Sequence, residues 1–193
     1  VVPDITEGRF TAGTGVRNRP TIKAQSIADL EQYARKFDRR IVGIDPQAGI
    51  MHKTRQAMEA YGLESFRLVE GNEAAMTREL TEAIRHHKWV VVTGWQPHWS
   101  FARWKLRFLE DPKNVFGGEG AIHTIVRKGL ANDMPRLVAF LDRFAWSAEE
   151  MGQLILFNRQ DDGLYPYKQA LRWIRTHPGR VASWLDATGR EGG

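Results

Sequence analysis

The sequence predicts an α/β protein: one lobe built on a largely parallel sheet flanked by helices, followed by a C-terminal helical segment. Three observations point there. Between Ile41 and Thr93, short apolar runs alternate with helical patterns of about 10–15 residues, the signature of βαβ units. From Asp133 onward every periodic stretch is helical. The chain has 193 residues, 42% hydrophobic and 26% charged, which is enough for a sizeable folded core. No apolar run approaches the roughly 20 residues that a membrane-spanning helix requires.

The elements follow in order. Residues 4–25 hold Gly8, Gly13, Gly15 and Pro20 with little periodicity, so 1–25 is read as mostly loop. Ser26-Ile27-Ala28-Asp29 has the form of a capping box and opens a helix through about Lys36. Ile41–Ile44 is a buried strand, Ile50–Tyr61 a helix ended by Gly62, and Phe66–Val69 a second strand. Glu73–His87 is a second helix and Trp89–Thr93 a third strand. Leu106–Leu109 and Ile122–Arg127 are further strand candidates. Met134, Leu137, Val138, Leu141 and Phe144 share one apolar helix stripe, and Met151, Leu154 and Ile155 another. A helix carrying Tyr167, Ala170, Leu171 and Ile174 stops before Pro178, and a short last helix holds Val181 and Trp184. The division is an α/β ligand-binding lobe over 1–125 and C-terminal helices over 126–193.

Composition excludes several classes of function. With no cysteine, disulfide frameworks, thiolate zinc sites and cysteine nucleophiles are all absent. Lys plus Arg number 28 against 23 Asp plus Glu, a net charge of +5. The basic residues are scattered, with Arg39-Arg40 and Arg127-Lys128 as the longest runs. They read as solvated surface, and no nucleic-acid partner is expected. The histidines are dispersed, no Gly-x-Ser-x-Gly elbow occurs, and carboxylate pairs such as Glu149-Glu150 look like surface charge. No catalytic set and no metal site is read from these residues; binding and not catalysis, with no cofactor, is what the resemblance described below implies. The opening Val1-Val2-Pro3 reads as a processed chain or a piece of a longer one.

Two segments are candidates for binding. Gly43-Ile44-Asp45-Pro46-Gln47-Ala48-Gly49-Ile50-Met51 has the pattern of a strand, a tight turn and a helix start. Free N–H groups at such a helix N-terminus suit a carboxylate or phosphate, and Gly49 lets a ligand approach the backbone. The segment lacks the glycine patterns of nucleotide sites, and a purely structural turn is the competing reading. The second candidate is Thr93-Gly94-Trp95-Gln96-Pro97-His98-Trp99, at the carboxyl end of the third strand, where ligands of open α/β sheets bind. An indole face is the best side chain for a quaternary ammonium, and packing is the competing role for Trp95. The leading candidates are Trp95, Gly49 and Ile50; Ala48, Met51, His98 and Trp99 form a second tier. An anionic end on the Gly49 turn and a methylated cationic end on Trp95 together describe a small zwitterion.

Ile41 to Met51, Ala74-Ala75-Met76-Thr77 and Val91 to Trp99 resemble the glycine betaine substrate-binding proteins of ABC transporters. The likeness continues through Leu106 to Lys113 and Ile122 to Leu130, and it covers most of residues 26–186. It implies a type II periplasmic-binding-protein fold, in which two α/β lobes close over the ligand. It also implies a quaternary ammonium ligand (glycine betaine, proline betaine or choline), an ABC permease as partner, and the periplasmic or extracytoplasmic face of the membrane as location. Residue by residue, Trp95 matches a cage tryptophan, and Gly49 and Ile50 match the amides that hold the carboxylate. Two family segments do not occur: a Trp-Asp-rich strand region and a Trp-Leu-Pro-x-x-His stretch. In the usual chain order both precede Val1, so the resemblance implies a chain lacking its N-terminal part, on the order of a hundred residues. The other cage walls would then come from that missing second lobe, a separate chain or a swapped dimer, and the helices of 126–193 would pack on the other lobe. Gln47 stands where a small residue is usual. The alternative is a repurposed or incomplete lobe acting as a protein-interaction module without solute binding. A methylamine enzyme would need His98 as its base.

Overall fold

Strand β4, Val90–Trp95, is the spine of the molecule: its first five residues are all buried. Around it the sheet runs in the order β3 (Arg67–Val69), β2 (Arg40–Val42), β4, β1 (Gly8–Gly13), β5 (Leu106–Phe108). The computed structural model describes residues 8–13, 24–118, 120, 122–161 and 163–185. β2 is parallel to both β3 and β4, while β1 is antiparallel to β4 and β5. Four strands therefore run one way and β1 runs against them.

The alternation of a strand sends successive residues to opposite faces, and helices cover both. Ile41 and Val91 meet Ile50, Met51 and Ala57 of helix α1, Gly49–Ala60. Val42, Val90 and Val92 meet Met76 and Leu80 of helix α2, Glu73–Arg85. This double burial is why β4 reads as a continuous apolar run. α1 ends as Gly62 predicts. Gly62 takes φ +62°, its N–H bonds Glu59 O at 3.1 Å, and Leu63 N–H bonds Met58 O at 2.9 Å, which is a Schellman motif. α2 starts at Asn72, whose side chain accepts the Ala75 N–H at 2.8 Å.

Three expectations change. The helix expected from Ser26 has its capping box, but it is built of two 3₁₀ stretches, Ile27–Asp29 and Glu31–Phe37. The three-residue spacing of buried Ile27/Leu30 and Ala34/Phe37 suits three residues per turn. The stretch read as loop contains β1, whose pairing with β4 on one side and β5 on the other replaces any local apolar signal. The rest of 1–23 and the Gly-rich tail lie outside the described residues. Ile122–Arg127, a strand candidate, is irregular and exposed, with no strand among the described residues paired to it.

A short helix, α3 (Trp99–Arg103), follows the Trp95 turn, and the C-terminal part comprises α4 (Leu130–Asp133), α5 (Pro135–Arg143), α6 (Ala148–Asn158), α7 (Pro166–Thr176) and α8 (Pro178–Leu185). A capping box of Ser147 and Glu150 opens α6. Arg180 of α8 binds Glu150 at 2.8 Å and the Ala145 carbonyl at 2.7 Å, joining α8 to that cap. The Ser147 N–H first, and then Arg180, hold the Glu150 carboxyl below its ordinary value. Trp146, Trp173 and Trp184 form a cluster, with ring centroids 4.8–5.8 Å apart. Among the described residues, no helix is long and apolar enough to cross a membrane.

Candidate functional site

The parallel strands β2, β3 and β4 all deliver their following loops to one edge of the sheet. Gly43 N–H bonds Val69 O at 2.8 Å and Gly71 N–H bonds Ile44 O at 3.0 Å, so the exits of β2 and β3 are tied together. The exit of β2 becomes the start of α1, and the exit of β4 is Trp95. The two predicted segments are thereby brought to the same edge, where open α/β sheets take ligands.

At the start of α1 the turn is held from within. Asp45 accepts the Gln47 N–H on its side chain at 2.8 Å and the Ala48 N–H on its carbonyl at 3.0 Å. Gln47 is exposed and is not among the positive-φ positions, so the turn accommodates it without a glycine. Ala48 is the N-cap residue, and it supplies no side-chain cap. The N–H groups of Gly49 and Ile50 have no acceptor among the described residues. Gly49 is exposed, and a Cβ added there would meet nothing within 4 Å. Two open donors with the positive end of a 12-residue helix behind them fit a carboxylate. Met51 behaves differently. Its side chain is fully buried, its sulfur accepts the Ile44 N–H at 3.3 Å, and its own N–H bonds Ala48 O at 2.9 Å. The structure therefore leaves neither its N–H nor its side chain open to a ligand.

Trp95 is half-buried at the end of β4, with His98 edge-on to it at a ring-centroid distance of 4.7 Å. His98 is only 6% exposed, so little of its ring is open to a ligand. Its Nδ1 accepts the Ser100 N–H at 3.2 Å as the N-cap of α3, with Ser100 Oγ 2.7 Å away; its Nε2 faces Glu73 Oε1 at 3.2 Å. An acceptor at Nδ1 and a carboxylate at Nε2 together place the proton on Nε2. Burial, the largest cause, lowers the proton affinity of His98, and Arg159 lowers it further; Glu73 opposes both.

Glu73, His98 and Ser100 have the composition of a hydrolytic triad but not its function. The imidazole caps a helix, Ser100 is 4% exposed, and the void that His98 and Ser100 share with Trp95 is about 10 Å³, with no space for a substrate. Trp99 is 5% exposed, and its ring is covered by the Arg159 guanidinium at 4.4 Å, so it packs. Glu73 and Arg159 were not singled out by sequence, because their contacts to the Trp95 turn join separate helices and leave no local pattern. No group of three or more histidine or acidic side chains fit to hold a metal occurs among the described residues.

The family described as the substrate binding domain of ABC-type glycine betaine transport system matches residues 12–176. The chain belongs to this family. It is 45% identical over 148 residues to the glycine betaine/carnitine transport binding protein GbuC of Listeria monocytogenes serotype 1/2a (strain 10403S). That match takes in 76% of this chain and 49% of the relative, so it spans about half the relative's length. Among solved structures, the glycine betaine/L-proline-binding protein ProX of Borrelia burgdorferi superposes with a TM-score of 0.67 at 31% identity. It covers 92% of this chain and 64% of that one. Lactococcal OpuAC, closed on glycine betaine, gives a TM-score of 0.63 at 33% identity, covering 92% and 67%. The fold is thus the type II periplasmic-binding-protein α/β architecture that the resemblance implied. Family membership makes this a substrate-binding domain and not an enzyme, in keeping with a Glu73–His98–Ser100 set that caps a helix.

Proposed function

We propose that this chain binds glycine betaine or a related quaternary ammonium osmoprotectant for an ABC importer. The carboxylate would lie on the N–H groups of Gly49 and Ile50, and the trimethylammonium on the face of Trp95. One observation carries the reading: two unpartnered backbone donors and a half-buried indole stand at the same edge of the sheet, in a chain of this family. A desolvated cation on an indole is worth about 2 kcal/mol, and a hydrogen bond to a charged group about 1.5–3 kcal/mol. Choline and carnitine carry the same trimethylammonium and proline betaine a dimethylated ring nitrogen, so the ligand is assigned here only as the quaternary ammonium class.

The proposal includes delivery to a membrane permease at the extracytoplasmic face, and packing of the helices of 126–193 on another lobe. Met134, Leu137, Leu171 and Ile174, 37–49% exposed, supply apolar surface for that packing. Calorimetric titration with glycine betaine, with choline in parallel and salt varied, tests the reading. Saturable, salt-insensitive heat that is lost in Trp95→Ala is expected. Unchanged affinity in Trp95→Ala removes the tryptophan from the site, and no heat at millimolar ligand removes betaine binding from this chain.

A further inference from the structure

The indole proposed to receive the cation rests on a buried imidazole whose every polar contact is engaged. His98 packs edge-on to Trp95, caps α3 through Nδ1, and points Nε2 at Glu73, the first residue of α2. We propose that His98, held by Glu73 and Ser100, is the positioning residue of the Trp95 face: neutral, it fixes the indole for a cation, and protonated it gives up the α3 cap and competes with the ligand cation for the indole. This inference rests on the betaine-binding reading above.

Protonation puts a hydrogen on Nδ1, where the lone pair accepts the Ser100 N–H. Two donors then face each other across 3.2 Å in a buried site, so the Ser100 N–H loses its acceptor while the new ring proton turns to Ser100 Oγ, 2.7 Å away. The same proton makes His98 a cation whose ring centre lies 4.7 Å from that of Trp95. That is within the reach of a cation–π contact, so the imidazolium competes with a ligand cation for the same indole. The charged groups around His98 come from separate elements. Glu73 on α2 favours the protonated form, while Arg159, beyond the end of α6, disfavours it. The surrounding wall of Met76, Leu80, Val92 and Phe101 is apolar and also favours the neutral ring.

The test follows the Trp95 indole N–H resonance, assigned by its loss in Trp95→Phe, together with the glycine betaine Kd, between about pH 5 and 8. In the unsubstituted chain the resonance should titrate, and betaine should bind roughly tenfold more weakly at the acid end. His98→Asn keeps a good helix cap without an ionisable ring, and should flatten both profiles. Glu73→Gln, at an exposed edge of the cluster, removes the group that favours protonation and should move the midpoint to lower pH. A Trp95 resonance that ignores pH, a profile unchanged by His98→Asn, or a midpoint unmoved by Glu73→Gln overturns the proposal. A resonance that titrates as expected in a chain showing no betaine heat upholds the His98–Trp95 coupling and overturns the betaine reading. Betaine binding with one pH profile in all variants upholds that reading and overturns the coupling.

Discussion

The guanidinium of Arg159 lies 4.4 Å from the centroid of the Trp99 ring, and this contact docks the end of α6 on the start of α3. Gly152 of α6 faces the His98 carbonyl, where an added Cβ would stand 3.4 Å away in ordinary contact. The C-terminal helices are thus seated on the turn that follows Trp95. Arg159→Ala should cost about 1 kcal/mol and lower the melting temperature by about 2–4 °C, read by far-UV circular dichroism. It should also make His98 easier to protonate, because Arg159 is one of the groups holding its proton affinity down.

Two glycines flanking the same turn should respond in opposite ways. A Cβ at Gly43 would stand 2.4 Å from the buried Met51 sulfur and 3.1 Å from Val69 O. Gly43→Ala should therefore lose about 1–3 kcal/mol of stability in urea titration. Gly49→Pro should fold normally, because proline suits the first helical position and Ala48 already takes φ −62°, ψ 140°, as a residue before proline does. It deletes one proposed donor, so betaine affinity should fall by about 1.5–3 kcal/mol, measured by calorimetry.

Trp95→Ala and Trp173→Ala should separate binding from stability. The first should weaken betaine binding by about 2 kcal/mol or more with little change in melting. Trp173 is 6% exposed and stacks on His177 at 4.3 Å, so its truncation should cost about 3–5 kcal/mol of stability. A Trp173→Ala chain that remains folded should keep its affinity.

Tyr61 should dominate the alkaline limb of stability. Its hydroxyl donates to Asp111 Oδ1 at 2.5 Å and accepts the Lys113 N–H at 2.6 Å, tying the loop after β5 to the end of α1. Burial first, and Asp111 second, push its pKa up to about 12 from 10.0. The unfolded chain therefore loses this proton before the folded one, so the contribution is present below pH 10 and is lost as pH rises towards 12. Tyr61→Phe should remove that dependence, read as a flatter stability profile between these two values in denaturant titrations.

Much of this was legible where neighbours in the chain determine structure. Val90, Val91 and Val92 form an unbroken apolar run because both faces of β4 are covered, and Gly62 ends α1 because a residue without Cβ takes φ +62° there without strain. Gly49 and Trp95 could be singled out because a helix start and a strand end both announce themselves locally. β1 could not be, since its pairing partners, Val90–Trp95 and Leu106–Phe108, lie far along the chain. Ile122–Val126 failed in the opposite sense: β-branched residues with no strand beside them stay out of the sheet. The contact of Glu73 with His98 crosses from α2 to the α3 cap, and only folding brings the two together.

The reversed strand has a consequence for how the protein is made. β1 precedes every one of its partners: Gly8 pairs with Trp95, and Thr11 with Phe108. On the ribosome it emerges early and waits while β2, β3 and β4 assemble from nearer contacts. It can pair with β4 only after Trp95 has left the exit tunnel, and its other edge stays unpaired until β5 follows. During that interval the outer edge of β1 is open, the kind of surface that invites pairing between nascent chains. Slowing synthesis between β4 and β5 would lengthen the exposure, and the yield of folded protein should depend on how promptly that stretch is translated.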